Sequence, residues 1–359
     1  MWLAVASSER IPVLQVLRAA AALMVAQTHV VAIQGVHEIG KASRSVWQPA
    51  WQTSFHEFPA LGAVGVDLFF VVSGFIVPLT AMRPGATRLG FLEKRALRIY
   101  PLWLYMVAIA ALGKLARGEF EWFNIAWSAL LLPTFDPHWT PIIFMGWSLV
   151  FEVFFYCLIA VVWGTRERVL AVLVVLVAIG KLVPGLPLAH LVSNPMLMEF
   201  EFGLLLGMGW KRGVRVPWPA LPVAVGVALL AWSGMSGANA LSSVEATVSG
   251  EVASQRVLHW GVPAALIVAG CLWLRPRCES RAGRFFTAIG DASYSIYAMS
   301  FFAQMALNKA WGLFAWLPGD VAILLGTAAM TAIGYLTYLY AERPLLRGLQ
   351  TRIATLVLT

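Results

Sequence analysis

The chain has 359 residues, of which 60% are hydrophobic and only 12% are charged. Soluble globular proteins average about 25% charged residues, so this composition excludes a soluble domain and indicates an integral membrane protein. Apolar stretches recur at the length that a helix needs to cross a bilayer, and the alternating pattern of a β-barrel is not seen. The net charge of +8 fits basic cytoplasmic loops better than a nucleic-acid partner.

We predict an all-α integral membrane protein, a single domain over residues 1–359 with about ten transmembrane helices and no appended soluble domain. The predicted spans are 12–33, 60–81, 100–117, 142–163, 169–187, 196–210, 219–236, 257–274, 288–310 and 321–341. With a cytoplasmic N-terminus, eighteen of the 26 lysines and arginines fall in inner segments, six in outer segments and two within spans. This asymmetry predicts that both termini are cytoplasmic.

That charge distribution requires segment 118–141 not to cross the membrane. If it crossed, the basic clusters at 211–215 and 275–284 would face outward. We therefore expect a re-entrant or interfacial segment on the outer side. Outer tryptophans such as Trp122 and Trp139 are expected mainly as interfacial anchors, and stacking on sugar rings is the alternative.

The first span contains two ionisable residues, Arg18 and His29, eleven positions apart. On an α-helix that spacing puts both on one face, about 16 Å apart along the axis. Charged or ionisable groups in a membrane span are costly and mark functional sites by default. The spacing predicts a helix that touches polar groups at both ends of a buried path.

A basic motif precedes the third span, with Lys94, Arg95 and Arg98 at positions i, i+1 and i+4. The planar fork of arginine suits phosphate oxygens, so the motif is a candidate phosphate anchor. The alternative is a basic anchor that touches lipid headgroups.

Two carboxylates add to the candidate site: Glu152 in the fourth span and Asp67 at the outer start of the second. Together with His29 they are candidates to converge in the outer half of the membrane. A carboxylate can orient a histidine that takes a proton from a hydroxyl nucleophile. For Asp67 the alternative is a helix cap or a pair with a basic group. From spacing alone, catalysis and a proton-coupled relay stand equal.

The cysteines predict no metal or disulfide site. There are three, Cys157, Cys271 and Cys278, and their spacing matches no metal-ligand or disulfide framework.

Several segments in order resemble the acyltransferase 3 family of membrane acyltransferases. They are Leu17–Leu23 followed by His29, Gly65–Phe75, Phe91–Trp103, Trp147–Tyr156, Gly290–Tyr297 and Glu342–Pro344. The resemblance covers most of the chain, and the landmarks are specific as a set rather than singly.

The resemblance implies an O-acyltransferase of the bacterial inner membrane. It would move an acyl group, usually acetyl, from cytoplasmic acyl-coenzyme A to a hydroxyl of an extracytoplasmic glycan or glycolipid such as exopolysaccharide or O-antigen. By the same resemblance His29 is the catalytic histidine, as general base or transient acyl carrier, and Arg18 lies on the donor path. Glu152 falls on the motif glutamate, and Lys94, Arg95 and Arg98 fall on the motif for the coenzyme A phosphates.

The chain departs from the family pattern at two positions. Val153 stands where a second acidic residue often follows the glutamate, and Ser300 stands where a histidine often follows the Ser-Tyr-Ser-x-Tyr segment. Two other functions stay open at this point. One is a proton-coupled transporter of a glycan or lipid precursor, and the other is a family member that acts only as an assembly partner.

Overall fold

A computed structural model describes residues 11–38, 62–183, 188–236, 241–276, 278–314, 317 and 319–349. Within these ranges the secondary structure is helical, and no strand occurs. The helices are α1 Pro12–Glu38, α2 Val64–Ala81, α3 Arg88–Ala116, α4 Trp122–Leu130, α5 Gly146–Val162, α6 Arg166–Leu182, α7 Ala189–Val192, α8 Leu197–Lys211, α9 Ala220–Met235, α10 Val244–Val248, α11 Ala253–Leu274, α12 Arg281–Asp291, α13 Ser293–Ala310 and α14 Gly319–Leu349.

Each of the ten predicted spans overlaps a helix, and 288–310 overlaps two. Among the described residues, five helices are long and apolar enough to cross a membrane. These five are Pro12–Ile33 within α1, then α2, α3, α11 and α14. Helices α5 and α9 are apolar but shorter. The all-helical membrane class is therefore confirmed.

Helix α3 begins earlier than predicted, at Arg88, so the basic motif lies on its first turns instead of in a preceding loop. Thr87 caps the helix by accepting a hydrogen bond from the backbone N–H of Gly90 at 3.1 Å. Because the motif is helical, Arg95 and Arg98 leave neighbouring positions on one side of α3.

Segment 118–141 contains only one helix, α4, which is nine residues long. At 1.5 Å per residue α4 spans about 14 Å, less than half of the hydrocarbon thickness. Tyr100 donates to the carbonyl of Leu130 at 2.8 Å, and Trp103 donates to that of Ser128 at 2.8 Å. These bonds fasten α4 to α3.

Helix α1 lies at the centre of the domain and contacts α2, α11, α12, α13 and α14. Helices α2 and α8 pack closely, because glycines meet the facing backbones. A Cβ at Gly74 would clash with the backbone of Phe200, and one at Gly203 with the carbonyl of Val71. Small residues permit this approach between membrane helices.

Two π-turns interrupt the long helices, at Val257–Gly261 in α11 and at Tyr338–Glu342 in α14. Single π-turns insert an extra residue into a helix and often occur at functional sites. In this protein each π-turn adjoins a buried charged residue, Arg256 in α11 and Glu342 in α14.

Candidate functional site

The site is built around one face of α1. Helix α1 is continuous from Arg18 to His29, so the predicted spacing of about 16 Å along one face applies. Ala22 and Val25 lie between them on that face, and both are buried. Arg18 and His29 are themselves only partly buried. The face is therefore polar at its two ends and apolar between them.

A cavity opens beside the Arg18 end of this face. It has a volume of about 110 Å³ and is lined by Arg18, Arg95, Arg98 and Glu152 together with apolar and hydroxyl-bearing side chains of α2, α3, α5 and α13. We call it the arginine cavity. Four of the predicted site residues thus meet in one place, although they lie on three helices.

Glu152 is held by two hydroxyl groups in the arginine cavity. Ser73 donates to its Oε1 at 3.0 Å, and Tyr156 donates to the same oxygen at 2.5 Å. These bonds fix the carboxylate among the three arginines, where its negative charge offsets part of their positive charge.

Arg95 is positioned by aromatic rings and retains an unused donor. Its guanidinium lies over the rings of Phe91 and Tyr156, at 5.7 and 5.5 Å from their centroids. Its Nη2 donates to the Thr80 hydroxyl at 3.1 Å. Its Nε is buried and makes no hydrogen bond with the described residues. An unsatisfied guanidinium donor beside a cavity fits an anionic ligand.

Arg98 is paired within the protein. It forms a salt bridge with Glu342, whose other carboxylate oxygen accepts a hydrogen bond from Ser295. Its guanidinium also lies over the ring of Tyr294, 5.5 Å from the centroid. Glu342 is 2% exposed, so the pair is shielded from water on the carboxylate side. Lys94, in contrast, is exposed and does not line the cavity.

The far end of the arginine cavity is closed by α5 and α13. Ser148 and Tyr297 share a hydrogen bond of 2.7 Å, and the Tyr297 hydroxyl also lies 2.8 Å from the carbonyl of Met145. Ser300 donates to the carbonyl of Tyr297 at 2.5 Å and is buried. The residue that replaces the family's frequent histidine is thus tied to its own helix.

Asp67 lies outside the arginine cavity, in a buried ion pair. Arg256 donates to its two oxygens from Nε at 3.1 Å and from Nη2 at 2.8 Å. Both side chains are at most 1% exposed. The guanidinium also lies over Trp147 and Trp260 and donates to two backbone carbonyls. The basic partner considered for Asp67 is therefore present.

The structure does not bring His29, Glu152 and Asp67 together. A Cβ at Gly62 would meet Thr28, so the start of α2 is level with His29. Ser73, which holds Glu152, lies eleven residues farther along α2, about 16 Å toward the Arg18 end. Glu152 is therefore a neighbour of Arg18, and among the described residues no contact joins His29 to Glu152 or Asp67.

Sequence reasoning missed three residues of this arrangement. Arg256 lies directly before the predicted span 257–274, yet its side chain is buried. Glu342 belongs to a landmark without an assigned role, and Glu199 is not among the predicted site residues. Glu199 is fully buried beside the Asp67–Arg256 pair, packed against Gly261 of the first π-turn. The signal available for Arg256 and Glu199 was their position at the edges of long apolar segments.

Comparison with known proteins places these features in context. Residues 11–339 match the acyltransferase 3 family, described as an acyltransferase domain. The chain is 35% identical to the exopolysaccharide production protein ExoZ of Rhizobium meliloti (strain 1021) over 314 residues, which cover 84% of this chain and 94% of that protein.

A more distant similarity joins the chain to nodulation protein 10 of Rhizobium leguminosarum bv. viciae. The two are 25% identical over 190 residues, which cover 43% of this chain and 51% of that protein. No solved structure matches the chain.

Proposed function

Since the chain belongs to the acyltransferase 3 family of membrane acyltransferases, we propose that it transfers an acyl group, most simply acetyl, from cytoplasmic acyl-coenzyme A to a hydroxyl of an extracytoplasmic exopolysaccharide. The similarity to an exopolysaccharide production protein supports this acceptor class. The donor is supported by the arginine cavity, which offers cationic groups to a phosphorylated thioester.

The proposal includes an orientation in the bacterial inner membrane. We propose ten spans with both termini in the cytoplasm, as the distribution of lysine and arginine favours. Arg18 and the basic motif on α3 then face the cytoplasm, and His29 lies toward the outer side. The membrane-spanning distance between donor and acceptor is bridged along the Arg18–His29 face of α1.

The donor binds with its phosphates at the mouth of the arginine cavity. Arg95 has the unused donor, and Arg18 and Arg98 add positive charge deeper in the wall. Lys94 lies on the exposed side of α3 and adds long-range attraction. The cavity volume of about 110 Å³ is too small for the nucleotide, so in this proposal only the pantetheine arm enters and the nucleotide stays outside. The thioester then points along α1 toward His29.

At the outer end His29 acts as general base. Its neutral imidazole takes the proton of the acceptor hydroxyl while the hydroxyl oxygen attacks the thioester carbonyl. The carbon–sulfur bond breaks, the acyl group stays on the acceptor oxygen as an ester, and the coenzyme A thiolate leaves and takes up a proton. In the covalent variant an imidazole nitrogen of His29 attacks first, and the acceptor hydroxyl then attacks acyl-His29.

Glu152 has a supporting role in this scheme. Its bonds from Ser73 and Tyr156 hold it at the Arg18 end, so it orients the arginines and does not contact His29. Asp67 acts through its ion pair with Arg256, which ties the start of α2 to α11.

The observation that carries the proposal is the convergence of Arg18, Arg95, Arg98 and Glu152 in a cavity at one end of the face that bears His29. The test is mass analysis of exopolysaccharide from cells that lack the protein, complemented with the wild type, His29→Ala or His259→Ala. His259 is the matched control because its ring stacks on Trp232 away from the cavity.

We expect the wild type and His259→Ala to restore an O-acyl group that His29→Ala does not restore. Exopolysaccharide with the same acyl content in all four strains would refute this acceptor. Acyl-His29 trapped in the absence of acceptor would favour the covalent variant.

A further inference from the structure

A concave surface lies on α4 and on the loop that leads to α5. It is a shallow depression, largely open on one side, with a volume of about 400 Å³, and it is lined by Glu121, Trp122, Phe123, Asn124 and Trp139. Cavities that hold small molecules measure about 300–1,000 Å³, so this volume is within the usual range for a ligand. We call it the tryptophan concavity. It shares no lining residue with the arginine cavity.

The walls of the concavity are fixed by hydrogen bonds. Asn124 accepts at its amide oxygen from Trp139 Nε1 and from the Ser128 hydroxyl, each at 3.2 Å. Ser128 is fully buried, and its hydroxyl accepts from the backbone N–H of Ile142 at 2.9 Å. One ring and one amide are therefore held in place before any ligand arrives. Such preorganisation lowers the entropic cost of binding.

The exposed groups have the chemistry that a sugar requires. Trp122 is 70% exposed and Phe123 is 45% exposed, so both rings are accessible to a ligand. The C–H face of a sugar ring packs on an aromatic face, while its hydroxyls donate to a carboxylate such as Glu121 and accept from an amide such as Asn124.

The composition of the concavity argues against a lipid anchor. An interfacial anchor needs only amphipathic rings at the level of the headgroups, whereas these rings stand beside the polar side chain of Asn124. The hollow also contains the carboxylate of Glu121, which a lipid tail or an anionic headgroup disfavours. A neutral hydroxyl-rich ligand satisfies both the rings and the polar groups.

The concavity is connected to the start of α5. Trp139 also lines a second, smaller cavity that reaches Asp136, His190 and Trp147. The residue after Trp147 is Ser148, which lines the arginine cavity. Trp139 and Trp147 thus link the concavity, through the smaller cavity, to the start of α5.

We propose that the tryptophan concavity binds a neutral sugar unit of the acceptor glycan, with Trp122 and Trp139 as the stacking rings and Glu121 and Asn124 as hydrogen-bonding partners. This inference rests on the proposed function, because it assigns an acceptor subsite to the same enzyme. The sugar bound here is a neighbour of the acylated unit and holds the glycan on the outer surface.

The experiment uses the full chain in lipid nanodiscs. The probe is exopolysaccharide from the deletion strain, cut to its repeat units and supplied with radiolabelled acetyl-coenzyme A. Transfer kinetics and saturation-transfer NMR of the repeat units are measured for the wild type, Trp122→Ala, Trp122→Tyr and Phe120→Ala. Phe120 is the matched control, since it is 50% exposed in the same segment but does not line the concavity.

We expect Trp122→Ala to raise the acceptor KM about tenfold and to lose the NMR saturation signal of the repeat units. Trp122→Tyr retains most of the signal, and Phe120→Ala resembles the wild type. In all variants the KM for acetyl-coenzyme A stays unchanged.

Unchanged acceptor KM and NMR signal in Trp122→Ala would overturn the subsite while leaving the acyltransferase intact. An equal loss in Phe120→Ala would also overturn it, because a membrane anchor then explains both. If the wild type itself transfers no acetyl group to the repeat units, the proposed function fails. The NMR arm then still decides whether the concavity binds sugar.

Discussion

The contrast between Arg95 and Lys94 provides a sharp test of the donor site. The two residues are adjacent in the sequence, and both belong to the basic motif. Arg95 lines the arginine cavity and has a buried Nε without a hydrogen-bond partner among the described residues, whereas Lys94 is exposed outside it. Replacing each by methionine removes one positive charge and keeps an unbranched apolar stem.

The expected magnitudes differ because the environments differ. A hydrogen bond to a charged group contributes about 1.5–3 kcal/mol, and every 1.4 kcal/mol changes an equilibrium constant about tenfold. Arg95→Met should therefore raise the KM for acetyl-coenzyme A by roughly 10- to 150-fold. Exposed charges contribute about 0–1 kcal/mol, so Lys94→Met should raise it at most about fivefold.

The assay compares two donors in nanodiscs, acetyl-coenzyme A and S-acetylpantetheine, which has no phosphate. Arg95→Met should raise the KM for acetyl-coenzyme A and leave the KM for S-acetylpantetheine unchanged, because S-acetylpantetheine has no phosphate for Arg95 to contact. Circular dichroism and thermal unfolding confirm that both variants are folded. An equal KM increase for both donors, or a larger KM increase in Lys94→Met than in Arg95→Met, would refute a contact between Arg95 and the donor phosphates.

Three further predictions concern the buried charges and the close contact of α2 with α8. Asp67→Ala should destabilise the protein by about 3–5 kcal/mol, because Arg256 then lies buried without its carboxylate. The double variant Asp67→Leu with Arg256→Met should recover thermal stability in detergent. If that double variant is stable but inactive, Asp67 has a direct role in the reaction. Glu342→Gln should lower the KM for acetyl-coenzyme A about threefold at low salt, because the charge of Arg98 is no longer neutralised. A higher KM would mean that Glu342 mainly orients Arg98. Gly203→Ala should lower the free energy of unfolding by about 1–3 kcal/mol. Gly209→Ala is the control and should not destabilise the protein, because a Cβ there meets Val214 at ordinary van der Waals distance. Equal stability of the two variants would contradict the close packing of α2 on α8.

Hydrophobic patterning was sufficient to locate the long helices but not the short ones. Each predicted span overlaps a helix, because a membrane span must satisfy all its backbone hydrogen bonds internally. The prediction that segment 118–141 does not cross agrees with the short length of α4. The start of α3 at Arg88 was missed, since the charged residues of its first turns lower the hydropathy although the helix continues through them.

The partners of buried charges were harder to predict than the charges themselves. The positions of Arg18, Arg95 and Glu152 mark them as unusual, and all three line one cavity. The pairing of Asp67 with Arg256 joins residues 189 positions apart, which depends on how α2 and α11 pack. The position of Glu152 at the Arg18 end of the site depends likewise on its hydrogen bond from Ser73. Pairwise contacts of this kind require the tertiary structure.

We propose that His29 performs the transfer at the end of α1 opposite Arg18. The most direct measurement is the rate of acetyl transfer from acetyl-coenzyme A to exopolysaccharide repeat units by the purified protein, compared among the wild type, His29→Ala and the control His259→Ala. We predict that His29→Ala lowers kcat about 10²- to 10⁴-fold with acetyl-coenzyme A binding retained, and that His259→Ala leaves kcat unchanged. Transfer at the wild-type rate by His29→Ala would contradict a catalytic role of His29.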